Sequence, residues 1–222
     1  MRKWWVPGVL ALFLGVAGCA IDPVSEPEPV ADHRALCAEV LGGSAVEWLE
    51  RQAAPVELDY ATSADIAEAR DRIHRNLRSW EPGQGHSAIT LSNIDVCLAA
   101  GPGIGNYLLD YDTWHNGIDT VRAPVGGTRT RLNADVLLTA ERSSGSRATG
   151  RYSLYVACQL PGAAPQQGRN VLVRGRLTDT LTSDKSPRTP LTHLLHSAHV
   201  MAKALGCTNK PVIPAEPPAF VK

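Results

Sequence analysis

The sequence predicts an α+β domain, with an antiparallel sheet of four to five strands between N-terminal helices and a C-terminal closing helix. Three observations carry this prediction. Across residues 64–80, Ile66, Ala69, Ile73, Leu77 and Trp80 fall on one stripe at the helical period. Leu132, Ala134, Val136, Leu138 and Ala140 then alternate with other residues at a period of two, as do Tyr152, Leu154, Val156, Cys158 and Leu160. Finally, Leu191, Leu194, Leu195, Ala198, Met201, Ala202 and Leu205 project within an arc of about 120° and form a face able to cover a sheet.

The elements follow in chain order. Residues 31–41 and 44–53 read as short helices, the second opened by a capping-box pattern of Ser44 and Glu47. The helix over 64–80 carries Glu68 with Arg72 and Asp71 with Arg75 on its outer side, at spacings that form pairs across a turn. After Pro82-Gly83 the period becomes two. Residues 88–98 read as a strand whose apolar phase slips between Leu91 and Ile94, the mark of a bulge. The strands over 131–140 and 152–160 are joined by the polar stretch Ser143 to Gly150, and Val171 to Leu177 adds another. The last helix is expected to have Thr189 as N-cap, Pro190 at its first position and Gly206 as C-cap.

The chain has 222 residues, enough for one well-filled domain and too few for two once non-globular ends are set aside. Its 44% apolar and 20% charged residues exclude a disordered, collagenous or polytopic membrane protein. Lys and Arg balance Asp and Glu at 22 each, without runs of like charge, so no nucleic-acid footprint or polybasic patch is expected.

At the N-terminus, Arg2 and Lys3 precede an apolar run from Trp4 to Ala17 that is shorter than the roughly 20 residues a membrane-spanning helix needs. Small residues follow, completing the pattern of an export signal over residues 1–18. Residues 19–31 are rich in Pro and Glu and read as an extended tether reaching up to roughly 37 Å. Residues 32–210 form the expected domain, and 211–222 a Pro-rich tail, loose or surface-hugging.

Val16-Ala17-Gly18-Cys19 resembles the lipobox of bacterial lipoproteins. That resemblance implies a diacylglycerol on Cys19, a lipid anchor on the extracytoplasmic face of the cell membrane and removal of residues 1–18. The whole layout resembles that of uncharacterised actinobacterial-type secreted lipoproteins, a likeness of organisation that brings no site residues with it. Cys37, Cys97, Cys158 and Cys207 remain, an even set in an exported chain, where two disulfides are expected. Four cysteines allow three pairings. The favoured one ties Cys37 to Cys207, pinning the first helix to the end of the last, and Cys97 to Cys158, joining two strand ends.

Motifs that carry chemistry are sparse. His193, His196 and His199 fan over about 120° of their helix, opposite the leucine stripe and with Lys203 one turn on, so solvated histidines rather than a metal site are expected. Asp110, Asp112, His115, Asn116 and Asp119 surround Asn116-Gly117, but Trp114 occupies a ligand position of the calcium-loop pattern and the closing glutamate is missing. The stretch reads as an Asx-rich turn. Gly101, Gly103 and Gly105 are misspaced for a dinucleotide fingerprint and read as a strand-to-strand loop. There is no G-x-S-x-G elbow and no S-x-x-K followed by lactamase motifs.

The expectation is a non-enzymatic envelope module, held at the membrane by its anchor, that binds an envelope protein or small ligand without cofactor, metal or nucleic acid. Trp114 and His115, with Asp110 and Asp112, are its first candidate ligand contacts. The alternative is a secreted hydrolase with a loop-built site, in which Asp110, Asp112 and His115 would act. The anchor is tested by Cys19→Ser. Fractionation should find that variant released from membranes or retained as uncleaved precursor, and normal processing with full membrane retention would refute lipidation.

Overall fold

The computed structural model describes residues 32–82, 93–143, 149–182, 184, 186 to 219. The signal, Cys19 and tether, the strand expected over 88–92 and the tail end 220–222 lie outside these residues. The order is α1 (His33–Leu41), α2 (Gly43–Ala53), β1 (Asp59–Ala61), α3 (Ile66–Arg78), β2 (Ile94–Gly101) and β3 (Gly105–Trp114). Then come a 3-10 turn (Ile118–Thr120), β4 (Thr128–Arg131), β5 (Val136–Ser143), β6 (Thr149–Ala157), α4 (Gln167–Asn170), β7 (Leu172–Asp179) and α5 (Arg188–Leu205).

The seven strands form one antiparallel sheet in the order β1-β2-β3-β7-β6-β5-β4. Two meanders, β1-β2-β3 and β4-β5-β6-β7, are thus zipped together along β3 and β7. The α+β class matches expectation, but the strand number exceeds four to five. The run read as one strand over 131–140 is a hairpin: Leu132 N donates to Val136 O, and Asn133 Oδ1 accepts from Asp135 N. The alternation passes through this tight turn in phase, which disguised it. Residues 105–114, read partly as an Asx-rich turn, are a ten-residue central strand.

The core lies between the helices and one sheet face. Tyr107, Leu109 and Tyr111 of β3, Val173 and Leu177 of β7, and Tyr152, Leu154 and Val156 of β6 join Ile73, Leu77, Leu191, Leu194, Leu195 and Met201 in one buried cluster. Tyr111 lies flat enough over β7 that a Cβ on Gly175 would come within 2.9 Å of its ring. A glycine there lets the Tyr111 hydroxyl reach Ser197 Oγ on α5 at 2.8 Å.

Helix ends follow local chemistry with some shifts. Asp65 caps α3 by accepting from Glu68 N at 2.8 Å. The Ser44–Glu47 capping box does not form, because α2 begins one residue earlier, directly from Gly42. Asp71 pairs with adjacent Arg70 rather than Arg75. Helix α5 starts at Arg188, and the Thr189 hydroxyl donates to Asp184 Oδ2 instead of capping. Gly206, at φ 65°, closes α5 as expected. The strand-phase slip sits at Asp95–Cys97 of β2, a few residues beyond its expected place. Along the tail, Asn133 Nδ2 donates to Val212 O, Pro217 is buried and Glu216 faces Arg188 at 3.7 Å.

Both disulfides correct the favoured pairing: Cys37 bonds Cys97, and Cys158 bonds Cys207. Strands β2 and β6 are separated by β3 and β7, about 14 Å at the normal strand spacing, far beyond the ~7 Å a disulfide can bridge. Cys97 instead faces α1, whereas Cys207, just past the α5 cap, returns to Cys158 through Thr208 N to Gln159 O and Asn209 Nδ2 to Ala157 O. Closing loops of 60 and 49 residues, each bond restricts the unfolded chain by about 4 kcal/mol in the chain-entropy model. Paired cysteines suit an oxidising, extracytoplasmic environment. Among the described residues, no helix is long and apolar enough to cross a membrane.

The three histidines of α5 also separate. His196 and His199 are exposed, but His193, expected to be solvated, is buried. Its Nδ1 lies 2.8 Å from Tyr107 Oη and its ring stands edge-on to Trp48 at 5.3 Å. The Trp48 side chain of α2 covers this part of α5 and removes water from a face the helical projection left outside. Burial, with a smaller push from His196, lowers the His193 imidazole to about 4, so the ring that shares a hydrogen bond with Tyr107 is neutral at pH 7. The unfolded histidine takes up its proton as pH falls through 6.5, the folded one only near 4, so stability should drop across that window by up to about 3 kcal/mol. Urea unfolding at pH 7 and 4.5 should show a smaller acid loss in His193→Asn than in the wild type; equal losses would refute this.

Candidate site on the open face of the sheet

The face turned away from the helices carries polar residues in cross-strand rows. The register places Asp112, Arg174, Tyr155 and Leu137 side by side across β3, β7, β6 and β5. The next row is Asp110, Arg176, Ser153 and Thr139, and the third is Leu108, Thr178, Arg151 and Glu141. Alternation alone puts these residues on one face; strand order puts them in rows.

In the first row, Arg174 Nε donates to Asp112 Oδ1 at 2.8 Å while Nη2 reaches Oδ2, a fork-on-carboxylate pair. The guanidinium also lies 4.9 Å from the centre of the Trp114 ring, which meets Tyr155 edge-on at 5.7 Å. In the second row, Arg176 Nε and Nη2 both donate to Asp110 Oδ1, at 2.9 and 2.7 Å. Burial raises the Asp110 carboxyl above its ordinary value, against the lowering effect of Arg176.

The connection from β3 to β4 crosses this face. Ile118 and Val121 close over Leu137, Tyr155, Ala157 and Leu172, with Trp114 packed at the margin, forming a second small core. Polar clamps hold the crossing: Arg131 pairs with Asp119, and Arg129 Nη2 donates to Ile118 O at 3.4 Å. The Trp114 end of the face is therefore covered. The indole Nε1 is buried there without an acceptor among the described residues.

Beyond the crossing, the second and third rows stay open as a concavity of about 440 Å³, walled by Arg122 and Pro124 and floored by Ser153, Thr139, Thr178, Arg151 and Glu141. Thr139 is only 5% exposed, yet its hydroxyl has no hydrogen-bond partner among the described residues. The same holds for the side chains of Ser153, Thr178, Arg122, Arg151 and Glu141. All but Arg122, which lies on the crossing, sit on strands of the sheet.

Of the expected contacts, Asp110, Asp112 and Trp114 do come together on one face, but as ion-paired and packed residues beside the concavity. Asp110 alone of them borders it. His115 sits apart, its Nε2 3.2 Å from the hydroxyl of Thr113, which lies on the helix-covered side of β3. Among the described residues no cluster of three His, Cys, Asp or Glu side chains could hold a metal ion. Gly101 and Gly105 end and begin the strands of the β2–β3 hairpin, the strand-to-strand loop read from the sequence. Sequence reasoning missed Arg174 and Arg176, although "VRGRLTD" shows both at alternate positions of a strand, the same phase as Asp110 and Asp112. It also missed the floor residues, whose only local signal is a hydroxyl or charge at the outward positions of β5 and β6.

Asp112 is 2% exposed, so removing its partner leaves a buried carboxylate uncompensated. Arg174→Ala should cost about 3 to 5 kcal/mol in urea unfolding, and adding Asp112→Ala should restore part of that loss; a cost below 1 kcal/mol would refute the pairing as a structural tie. No protein-family model, curated protein or solved structure matches this chain.

Proposed function

We propose that the chain is a lipid-anchored protein of the cell envelope whose domain binds a small ligand in the open-face concavity. The export signal and lipobox-like sequence support the address, and the two disulfides agree with it. One observation carries the binding reading: the buried Thr139, the half-buried Ser153, Thr178 and Glu141 and the exposed Arg122 and Arg151, none with a side-chain partner among the described residues, converge on a concavity of about 440 Å³, within the range of small-molecule sites. These groups face open volume and are free to exchange solvent for the donors and acceptors of a complementary ligand.

The hydrolase reading draws no comparable support. Both of its carboxylates are tied to arginines, and His115 bonds Thr113 rather than either acid. Asp110 borders the concavity but His115 does not, so no acid–histidine pair faces one substrate position there.

Ser153 lies at the centre of the floor and tolerates no large side chain without filling it. In thermal-shift assays against a panel of acidic, neutral and amino sugars, amino acids and dipeptides, at least one class should raise the wild-type Tm. Ser153→Trp should keep its own Tm within a few degrees and lose that response. A flat panel, or an equal response from the variant, would overturn the concavity as the binding seat.

A further inference from the structure

We infer that the concavity accepts a hydroxyl-rich ligand carrying one anionic group, an acidic sugar. This inference rests on the binding reading and concerns what that seat recognises. The charges on its walls and floor do not cancel. Arg122, Arg151 and Arg176 oppose Asp110 and Glu141, and Arg176 is already committed to Asp110. Arg122 and Arg151 therefore outnumber Glu141 among the charges without an ion-pair partner in the described residues, and both are guanidinium forks suited to a carboxylate or phosphate. A cationic ligand would meet the guanidinium groups of Arg122 and Arg151.

The neutral groups narrow the class further. The hydroxyls of Thr139, Ser153 and Thr178 can each donate and accept, whereas Glu141 only accepts and arginine only donates. A ligand matching this floor must offer donors and acceptors around one ring, as sugar hydroxyls do. An apolar ligand would bury Thr139 and Arg151 without partners, which costs more than its contacts return. Three strands and two rows span roughly 10 Å by 7 Å at normal sheet spacings, a floor of single-ring dimensions.

The test is calorimetric titration of the full mature chain, in detergent, with four probes: sodium D-glucuronate, D-glucose, D-glucosamine and sodium acetate. Glucuronate should bind at least tenfold more tightly than each of the others. Arg151→Ala should weaken it tenfold or more, and Thr139→Val severalfold, with both variants keeping the wild-type Tm. Glucosamine or glucose binding as tightly as glucuronate would overturn the anionic requirement, and acetate doing so would overturn the hydroxyl requirement. Should none of the four bind while an amino acid or dipeptide of the thermal-shift panel does, the acidic-sugar class falls and the binding seat stands. Should nothing bind, both fall.

Discussion

The pairing of β3 with β7 is the constraint on which the rest of the structure depends. These strands lie in different meanders, and only their ladder makes one sheet of two halves. Strand β3 is committed on both faces. Its odd residues Tyr107 and Tyr111 reach His193 and Ser197 of α5, while its even residues Asp110 and Asp112 take Arg176 and Arg174 of β7. A one-residue slip would turn carboxylates into the core. A two-residue slip would set Arg174 against Trp114 or leave Asp112 beside a neutral partner. Buried ion pairs add little net stability over apolar replacements, but they make wrong registers expensive.

Once that ladder is set, the crossing after β3 has one course. It must travel from the middle of the sheet to β4 at the far edge, and it does so over the open face, where Ile118 and Val121 find the apolar residues Leu137, Tyr155, Ala157 and Leu172. That burial covers one half of the face and leaves the other half bare. The concavity is thus a by-product of topology: its floor is sheet, its wall is the end of the crossing, and its polar groups are those the crossing does not reach. The disulfides secure the periphery, one holding α1 to β2 and the other holding the end of α5 to the end of β6.

For function, the useful contrast is between the two sets of polar groups on one face. Asp110, Asp112, Arg174 and Arg176 satisfy one another and hold strands in register. Arg122, Arg151, Glu141, Thr139, Ser153 and Thr178 satisfy nothing among the described residues and border open volume. Asp110, Asp112 and Trp114 are held in ion pairs or packing, whereas the groups bordering the open volume are mostly ordinary strand hydroxyls and charges.

The sequence by itself determined the α+β class, helices close to their observed bounds and the two-residue alternation of β5, β6 and β7. Those features are local: a helical stripe, a cap or an alternating face needs only neighbours in the chain. The tertiary structure decided what each face meets. Asp112 and Arg174 are 62 residues apart, and nothing near either one names the other. The disulfide pairing turned on strand order, since β2 and β6 are held apart by β3 and β7. His193 changed from an outward residue to a buried one because Trp48 of α2 covers that part of α5. The concavity depended on how far a crossing loop extends over a sheet. Each of these is a contact between distant segments, set by packing geometry that no window of sequence contains.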